Sequence, residues 1–336
     1  MSCSAVSHPP SPSLIDRFGR RIDYLRVSVT DRCDLRCSYC LPKGFKDFAE
    51  PAHWLTHAEM LRLVGLFTGL GVSKVRLTGG EPLLRRGVVD LARGIAALDG
   101  LTDLSLSTNA TQLARHAAAL KAVGVSRLNV SLDTLDARCY ASIAGSDRLA
   151  AVLAGLGVAK QVGFAPIKLN MVVQAGVNEA DVDEMVAFAL AQGFVLRLIE
   201  IMPMGDAGRG SRFVDVTTLG QSLAQRYNLL PAIKGRDAGP ARYWISRDGS
   251  MSLGVITPLS QHFCAACNRV RLTVDGTLHL CLGQDDQVPL GTLLRAGASD
   301  AELIAAIRRG IAAKPERHEF NTRPDKIIRF MAQTGG

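Results

Sequence analysis

The 336-residue chain has no run of about 18 apolar residues; its best, Leu149 to Ala159, stops at Lys160. A membrane-spanning helix is therefore excluded. The first 13 residues (MSCSAVSHPPSPS) lack the apolar core of a secretory leader, so the expectation is a cytoplasmic protein with a loose tail over 1–13. Charged residues are only 21% against 47% hydrophobic, which excludes a disordered or fibrous chain. No internal repeat exists beyond an alternation of strands and helices, and no low-complexity segment beyond the Ser/Pro start. Charge of one sign is not in great excess either. Lysine and arginine number 39 against 31 acids, a net +8 that suits a small polyanion as well as nucleic acid.

Cysteine is what the sequence does have. Six of its eight cysteines form two groups of three, Cys33-x3-Cys37-x2-Cys40 and Cys264-x2-Cys267-x13-Cys281. Cys3 and Cys139 stand alone, as a tail thiol and a helix-packing thiol. In a reducing compartment, clustered cysteines point to metal rather than to disulfides. What is missing is a fourth ligand. Structural zinc wants four, and each group offers three; His53 or His57 could complete the first, and His262 or His279 the second. The bacterial ferredoxin run fails because position 43 is Lys.

Strand-like segments at 24–29, 74–78, 104–107, 127–132, 168–173 and 195–201 alternate with helical patterns at 57–70, 88–97, 112–122, 136–143, 148–161 and 180–192. Such alternation implies a parallel sheet with crossover helices. Six units fall short of an eightfold closed barrel. The expected fold is α/β: an open, partial (β/α)6 barrel over 14–213, with a Gly-rich loop at Met204–Gly210. A smaller α+β domain over 214–336 should hold the second cysteine group. It has helices near 216–227, 289–295 and 300–313, and strands near 242–246, 252–256, 269–274 and 277–281.

A [4Fe–4S] cluster held by three cysteines leaves one iron open to another ligand. That is the arrangement needed to reduce S-adenosylmethionine by one electron. Aromatic Tyr39 precedes the third cysteine of the first group, and Gly79-Gly80-Glu81-Pro82 follows the second strand. Together these resemble the radical S-adenosylmethionine superfamily. The two glycines let backbone come close to a ligand, and their carbonyls can accept from an ammonium. The stretches DRFGRRIDYLRVSVTDRCDLRCSYC, KVRLTGGEPLLRR, RLNVSLD, RLIEIMPMG and CNRVRLTVDG, with the closing Gly335–Gly336, narrow the resemblance. From about residue 14 onward the chain is similar to the GTP 3′,8-cyclase family, which opens molybdenum cofactor synthesis.

The resemblance implies two [4Fe–4S] clusters, on Cys33, Cys37 and Cys40 and on Cys264, Cys267 and Cys281. It implies an S-adenosylmethionine side made by Tyr39, Gly80, Ser131 and Met202. It implies a GTP side made by Arg26, Arg76, Ser107 and Lys168, with Arg269, Val270 and Arg271 from the second domain. Arg269, Arg271, Gly335 and Gly336 would serve catalysis, the Gly-Gly end being thin enough to thread into a crowded pocket. Arginine forks suit a triphosphate, and basic residues pointing into a barrel are costly unless an anion meets them. The implied reaction takes hydrogen from the ribose C3′ of GTP and closes C3′ onto C8 of guanine. The implied partners are a low-potential donor such as a flavodoxin or ferredoxin, and a downstream cyclic pyranopterin monophosphate synthase; a homodimer stays open. Two positions depart from the family pattern: Ser107 replaces Thr, and Ala110 replaces a Gly whose positive φ would strain it. Two rivals stand beside this reading. One is a radical maturase acting on a peptide, which would usually carry more cysteines. The other is a metal-bearing nucleic-acid-binding protein, which leaves the Gly-Gly-Glu-Pro turn unexplained.

Overall fold

The computed structural model describes residues 13–41, 50–210, 212–233, 239–323 and 329–335, and the side chains of all of these but 206 and 207. Residues 1–12 of the expected 1–13 tail, Cys3 among them, and Gly336 lie outside them.

The alternating segments form β1 (Tyr24–Ser28), α1 (His57–Gly69), β2 (Lys74–Thr78), α2 (Val88–Ala96), β3 (Asp103–Thr108), α3 (Leu113–Ala122), β4 (Arg127–Ser131), α4 (Ala137–Ala144), α5 (Leu149–Gln161), β5 (Ile167–Val173), α6 (Val182–Gln192) and β6 (Val195–Glu200). After them come α7 (Gly205–Arg209), α8 (Val216–Arg226), β7 (Leu230–Pro231), β8 (Arg242–Ile245), β9 (Ser252–Ile256), β10 (Arg269–Leu272), β11 (Thr277–His279), β12 (Gln287–Pro289), α9 (Leu290–Arg295), α10 (Asp300–Ala313) and α11 (Met331–Thr334). Local chemistry sets several ends. Reciprocal Thr56–Glu59 and Ser299–Glu302 capping boxes start α1 and α10, and Gly193 at φ 71° closes α6. The longest apolar run of the sequence is α5, which packs on α3 with Leu149, Val152 and Leu156 buried. No single helix among the described residues is long and apolar enough to cross a membrane.

All twelve strands among the described residues belong to one sheet, in the order β12-β11-β10-β1-β2-β3-β4-β5-β6-β9-β8-β7. The strands after residue 214 therefore make no sheet of their own. β10 adds in parallel to β1, and β9 adds in parallel to β6. Eight parallel strands result, two of them from the last third of the chain, with an antiparallel hairpin at each edge. The expected Gly-rich loop at Met204–Gly210 contains the short helix α7. There a Cβ on Gly208 would lie 2.4 Å from the Met202 carbonyl, so glycine serves a tight approach rather than an open loop.

Side chains alternate across each strand. One set, including Leu25, Val27, Val75, Leu77, Leu128, Leu169 and Leu198, is fully buried in the core. The other set carries Tyr24, Arg26, Arg76, Lys168 and Arg197, and lines a cavity of 390 Å³ around which the sheet curls.

Candidate active site

β1 runs directly into the loop bearing the first trio, in which Cys33 is buried and Cys37 and Cys40 are half-buried. The turn after β2 docks this loop. The Gly80 amide donates to the Thr30 carbonyl at 2.8 Å, and the Glu81 amide to the Arg32 carbonyl at 2.7 Å. A Cβ on Gly79 would sit 2.3 Å from the Thr30 oxygen, and one on Gly80 2.2 Å from the Arg32 oxygen. These glycines thus serve the close approach of the cysteine loop. The far side of the loop is tied to α4, where Arg36 and Ser38 amides donate to the Ala144 and Ile143 carbonyls at 2.8 and 2.9 Å.

The carboxylate of Glu81 is fully buried and accepts from Leu83 N, Thr108 Oγ1 and Asn109 N at 3.0, 2.8 and 2.6 Å. Burial still pushes it up to about 7. Asn109 in turn donates to Asp34, inside the cysteine loop, at 2.8 Å, and lies 3.7 Å from the Cys33 sulfur. The next residue, Ala110, adopts φ 63°, the left-handed conformation that its replacement of glycine puts under strain. Tyr39 donates its hydroxyl to Asp133 at 2.8 Å, and Asp133 also accepts from Val172 N at 2.8 Å. Burial raises Asp133 to about 6. Ser131 is exposed at the end of β4, and Met202 packs beside Met204 and Phe320.

Burial pushes all three thiols of the first trio up, Cys40 to about 12. Without a metal they stay protonated; a bound cationic centre is what turns them into thiolate ligands. No three His, Cys, Asp or Glu side chains among the described residues are gathered as one ion requires. His57 packs instead against Gly87, and His53 lines a separate cavity. His262 stacks edge-on to His318, and His279 lines both cavities with its Nδ1 buried and unpartnered. Among the described residues the sulfurs of each trio are close enough to act on one another, but no set meets the geometry of a single ion.

The inward-facing strand positions come together in rows. Arg271, Arg26, Arg76 and Ser105 are register neighbours on β10, β1, β2 and β3; Arg269, Tyr24, Lys74 and Asp103 form the row beside them. Of the described side chains lining the cavity, nine are Lys or Arg and one, Asp103, is a carboxylate. Asp103 is already taken by Arg127. Arg26 is 9% exposed, and its Nε has no hydrogen-bond partner. Burial, then Arg271 and Arg76, hold its guanidinium well below the usual arginine range. Such a group is satisfied only by an incoming anion. Burial would raise the Tyr24 phenol, but Arg76, Arg26 and Arg269 together bring it below its ordinary value.

Lys168 reaches Tyr243 at 3.4 Å. Arg197, which the sequence reading did not single out, donates to Asn129 at 2.6 Å and meets Tyr243 across Gly254. A Cβ on Gly254 would lie 2.7 Å from the Tyr243 ring and 3.0 Å from Arg197 Cγ. Arg197 carries the same signal as Arg26, a cation in the middle of an apolar strand. Ser107 is not among the residues lining the cavity, and its hydroxyl is buried without a partner.

The second trio lines this same cavity. Cys264 and Cys267 flank a single helical turn before β10, and Cys281 follows β11. For Cys267, burial acts upward, but Arg269 and Lys314 outweigh it and bring the thiol to about 7. Arg269 lies over the Phe263 ring at 5.0 Å. The Val270 side chain packs in the core, so only its backbone can face the cavity. Arg271 donates to the carbonyls of Thr334, at 3.3 Å, and Gly335. Gly335 has φ 72°, and a Cβ there would be 2.2 Å from Thr78 Cγ2.

Residues 27–189 match the Radical SAM superfamily, and residues 194–320 match Molybdenum Cofactor Synthesis C. The chain is 45% identical to the GTP 3′,8-cyclase of Pseudomonas putida strain W619 over 332 residues, 97% of this chain and 99% of that protein. It belongs to the GTP 3′,8-cyclase family. Another member, from Paracoccus denitrificans, is 44% identical over 343 residues, 99% of this chain and 98% of that one. As a radical S-adenosylmethionine protein, a member of this family uses S-adenosylmethionine and a [4Fe–4S] cluster. Among solved structures, Streptococcus suis SuiB bound to the precursor peptide SuiA matches with a TM-score of 0.60 at 14% identity, covering 78% of this chain and 61% of that one. That likeness concerns the fold alone.

Proposed function

We propose that this chain is a GTP 3′,8-cyclase, the first enzyme of molybdenum cofactor synthesis, with the first cluster on Cys33, Cys37 and Cys40 and a second on Cys264, Cys267 and Cys281. One observation carries the reading: a cavity lined by nine basic side chains, with one carboxylate already paired, also contains the second cysteine trio. A cavity of 390 Å³ suits a small anion, and a neutral peptide would leave its arginines unanswered. The first trio lies next to the cavity wall, since Met331 lines the cavity and the amide of Ala332, the next residue, donates to Cys40.

Cys33, Cys37 and Cys40 would hold the first cluster, which together with S-adenosylmethionine would supply a radical able to take hydrogen from C3′. The chain itself does the positioning. Arg26, Arg76, Arg269 and Arg271 take the triphosphate, with Lys168 and Arg197 at the far side of the cavity; Ser107 has a free hydroxyl behind this face. Tyr39, Gly80, Ser131 and Met202 are assigned to S-adenosylmethionine, with Asp133 orienting Tyr39 through its hydroxyl. A primary radical is unselective, so holding one C–H in reach and keeping water out are the main demands on the site. Gly335 stands against Thr78, at the end of β2, and accepts from Arg271. Residues 14–213 act as the radical-generating part and 214–336 as the substrate part. A low-potential flavodoxin or ferredoxin would supply electrons, and cyclic pyranopterin monophosphate synthase would consume the product.

The product is an isomer of GTP, so mass alone does not reveal it. GTP deuterated at C3′, incubated without air with S-adenosylmethionine and reductant, is expected to pass its label to 5′-deoxyadenosine, one per new isomer. Unlabelled deoxyadenosine, or turnover of a peptide in place of GTP, would overturn the reading.

A further inference from the structure

Two buried cations, Arg20 and Lys314, and the half-buried Arg329 stand beside the residues of the second trio. Arg20 is 8% exposed. It pairs with Asp16 at 2.5 Å and donates to the carbonyls of Cys264, Glu316 and Pro315 at 2.9, 2.7 and 2.6 Å. Lys314 is 2% exposed and donates its Nζ to the Leu280 carbonyl. Arg329 donates to the carbonyls of Cys281 and Leu282 at 3.3 and 2.8 Å and to that of Gln284, and pairs with Asp285 at 2.7 Å. Both peptide arms that bear the trio are therefore held through carbonyl oxygens: residue 264 by Arg20, residue 280 by Lys314, and residues 281, 282 and 284 by Arg329.

The charges are not all answered by protein. Asp16 and Asp285 balance Arg20 and Arg329. Among the described residues no carboxylate stands at ion-pair distance from Lys314. A lysine this deeply buried is costly without an anion. Lys314 lines the same cavity as Cys264, Cys267 and Cys281. A thiolate-ligated metal centre there carries the negative charge that the lysine lacks.

We propose that Arg20, Lys314 and Arg329 are positioning residues of the second metal centre: the two arginines fix its ligand arms, and Lys314 balances its charge and raises its reduction potential. This rests on the reading of that trio as an iron–sulfur site. Partners of this kind, one layer behind the ligands, orient the ligands and tune the metal.

The test uses the full chain, reconstituted without air, and the variant Lys314→Met, which keeps length and loses charge. A redox titration followed by electron paramagnetic resonance reads both centres, the first serving as internal reference. The second centre is expected at a more negative potential than in the parent protein, with the first unmoved. Deoxyadenosine made without cyclised product should rise about tenfold. Lys314→Arg should restore the potential. An unmoved second potential, with both centres present, overturns the proposal. Should Lys314→Met lose the second centre, Arg329→Lys decides, because it keeps the charge but cannot serve all four acceptors. About tenfold faster iron loss from the second centre at unchanged potential is expected; iron loss at the parent rate overturns the proposal. A parent protein with no second centre would instead sink the reading on which the proposal rests.

Discussion

The charges that act most strongly on the thiols of Cys33, Cys37 and Cys40 are the carboxylates Glu81, Asp34 and Asp133, with Arg36 turned to the backbone carbonyls of Cys33 and Leu35, whereas around Cys264, Cys267 and Cys281 they are the cations Arg20, Arg269 and Lys314. The two trios offer the same three sulfurs, so the difference lies in what surrounds them. Negative surroundings oppose an added electron and favour a low potential, as cleavage of a sulfonium requires. Positive surroundings draw an anionic nucleotide and ease the presence of negative charge. One fold thus prepares a reducing end and a binding end across a single cavity.

The sharpest way to break this comparison is to remove one sulfur from each end. Cys33→Ala is expected to abolish deoxyadenosine formation, while Cys264→Ala keeps some uncoupled cleavage and loses cyclisation; chromatography of both products distinguishes them. Similar losses of cleavage in both variants would erase the division of labour. Next in size is the nucleotide charge. Arg269→Ala should weaken GTP binding about 10- to 100-fold, as loss of a charge-assisted contact does, and S-adenosylmethionine binding far less; paired titrations giving the reverse order would invert the map.

At the reducing end, Glu81 rises from 4.5 to about 7 on folding. A carboxyl whose folded value is raised holds more protons in the native state. Its stability contribution is therefore complete below pH 4.5 and falls as pH rises towards 7, by about 3 kcal/mol. Glu81→Gln should flatten urea-unfolding stability across that window, and an unchanged slope would remove Glu81 as its source. The smallest effect belongs to Ala110→Gly. Relief of the left-handed φ, less the entropy glycine adds to the unfolded chain, should raise stability by about 0.5–1 kcal/mol.

The inward cations Arg26, Arg76 and Lys168 are legible because they put charge within an apolar strand, and the strained Ala110 because it stands where the resembled family has glycine. Arg197 obeys the same logic within Val195–Glu200. Tyr24, Tyr243 and Lys314 gave no such signal. Tyrosine is at home in any strand, and the burial of Lys314 depends on a carbonyl 34 positions away. Strand-helix alternation gave the six central strands but could not assign β9 and β10 to the outer edges of β6 and β1. Periodicity specifies a strand's faces, not its neighbours.

That edge pairing has a consequence for how the protein is made. Asn268 reaches Asp23 across 245 positions, at the point where β10 joins β1. A nascent chain released only as far as the sixth strand carries two raw sheet borders, open to aggregation, until the ribosome delivers the rest. Closure is thus a late event of high contact order, and the nucleotide chamber comes into being only when synthesis is nearly over.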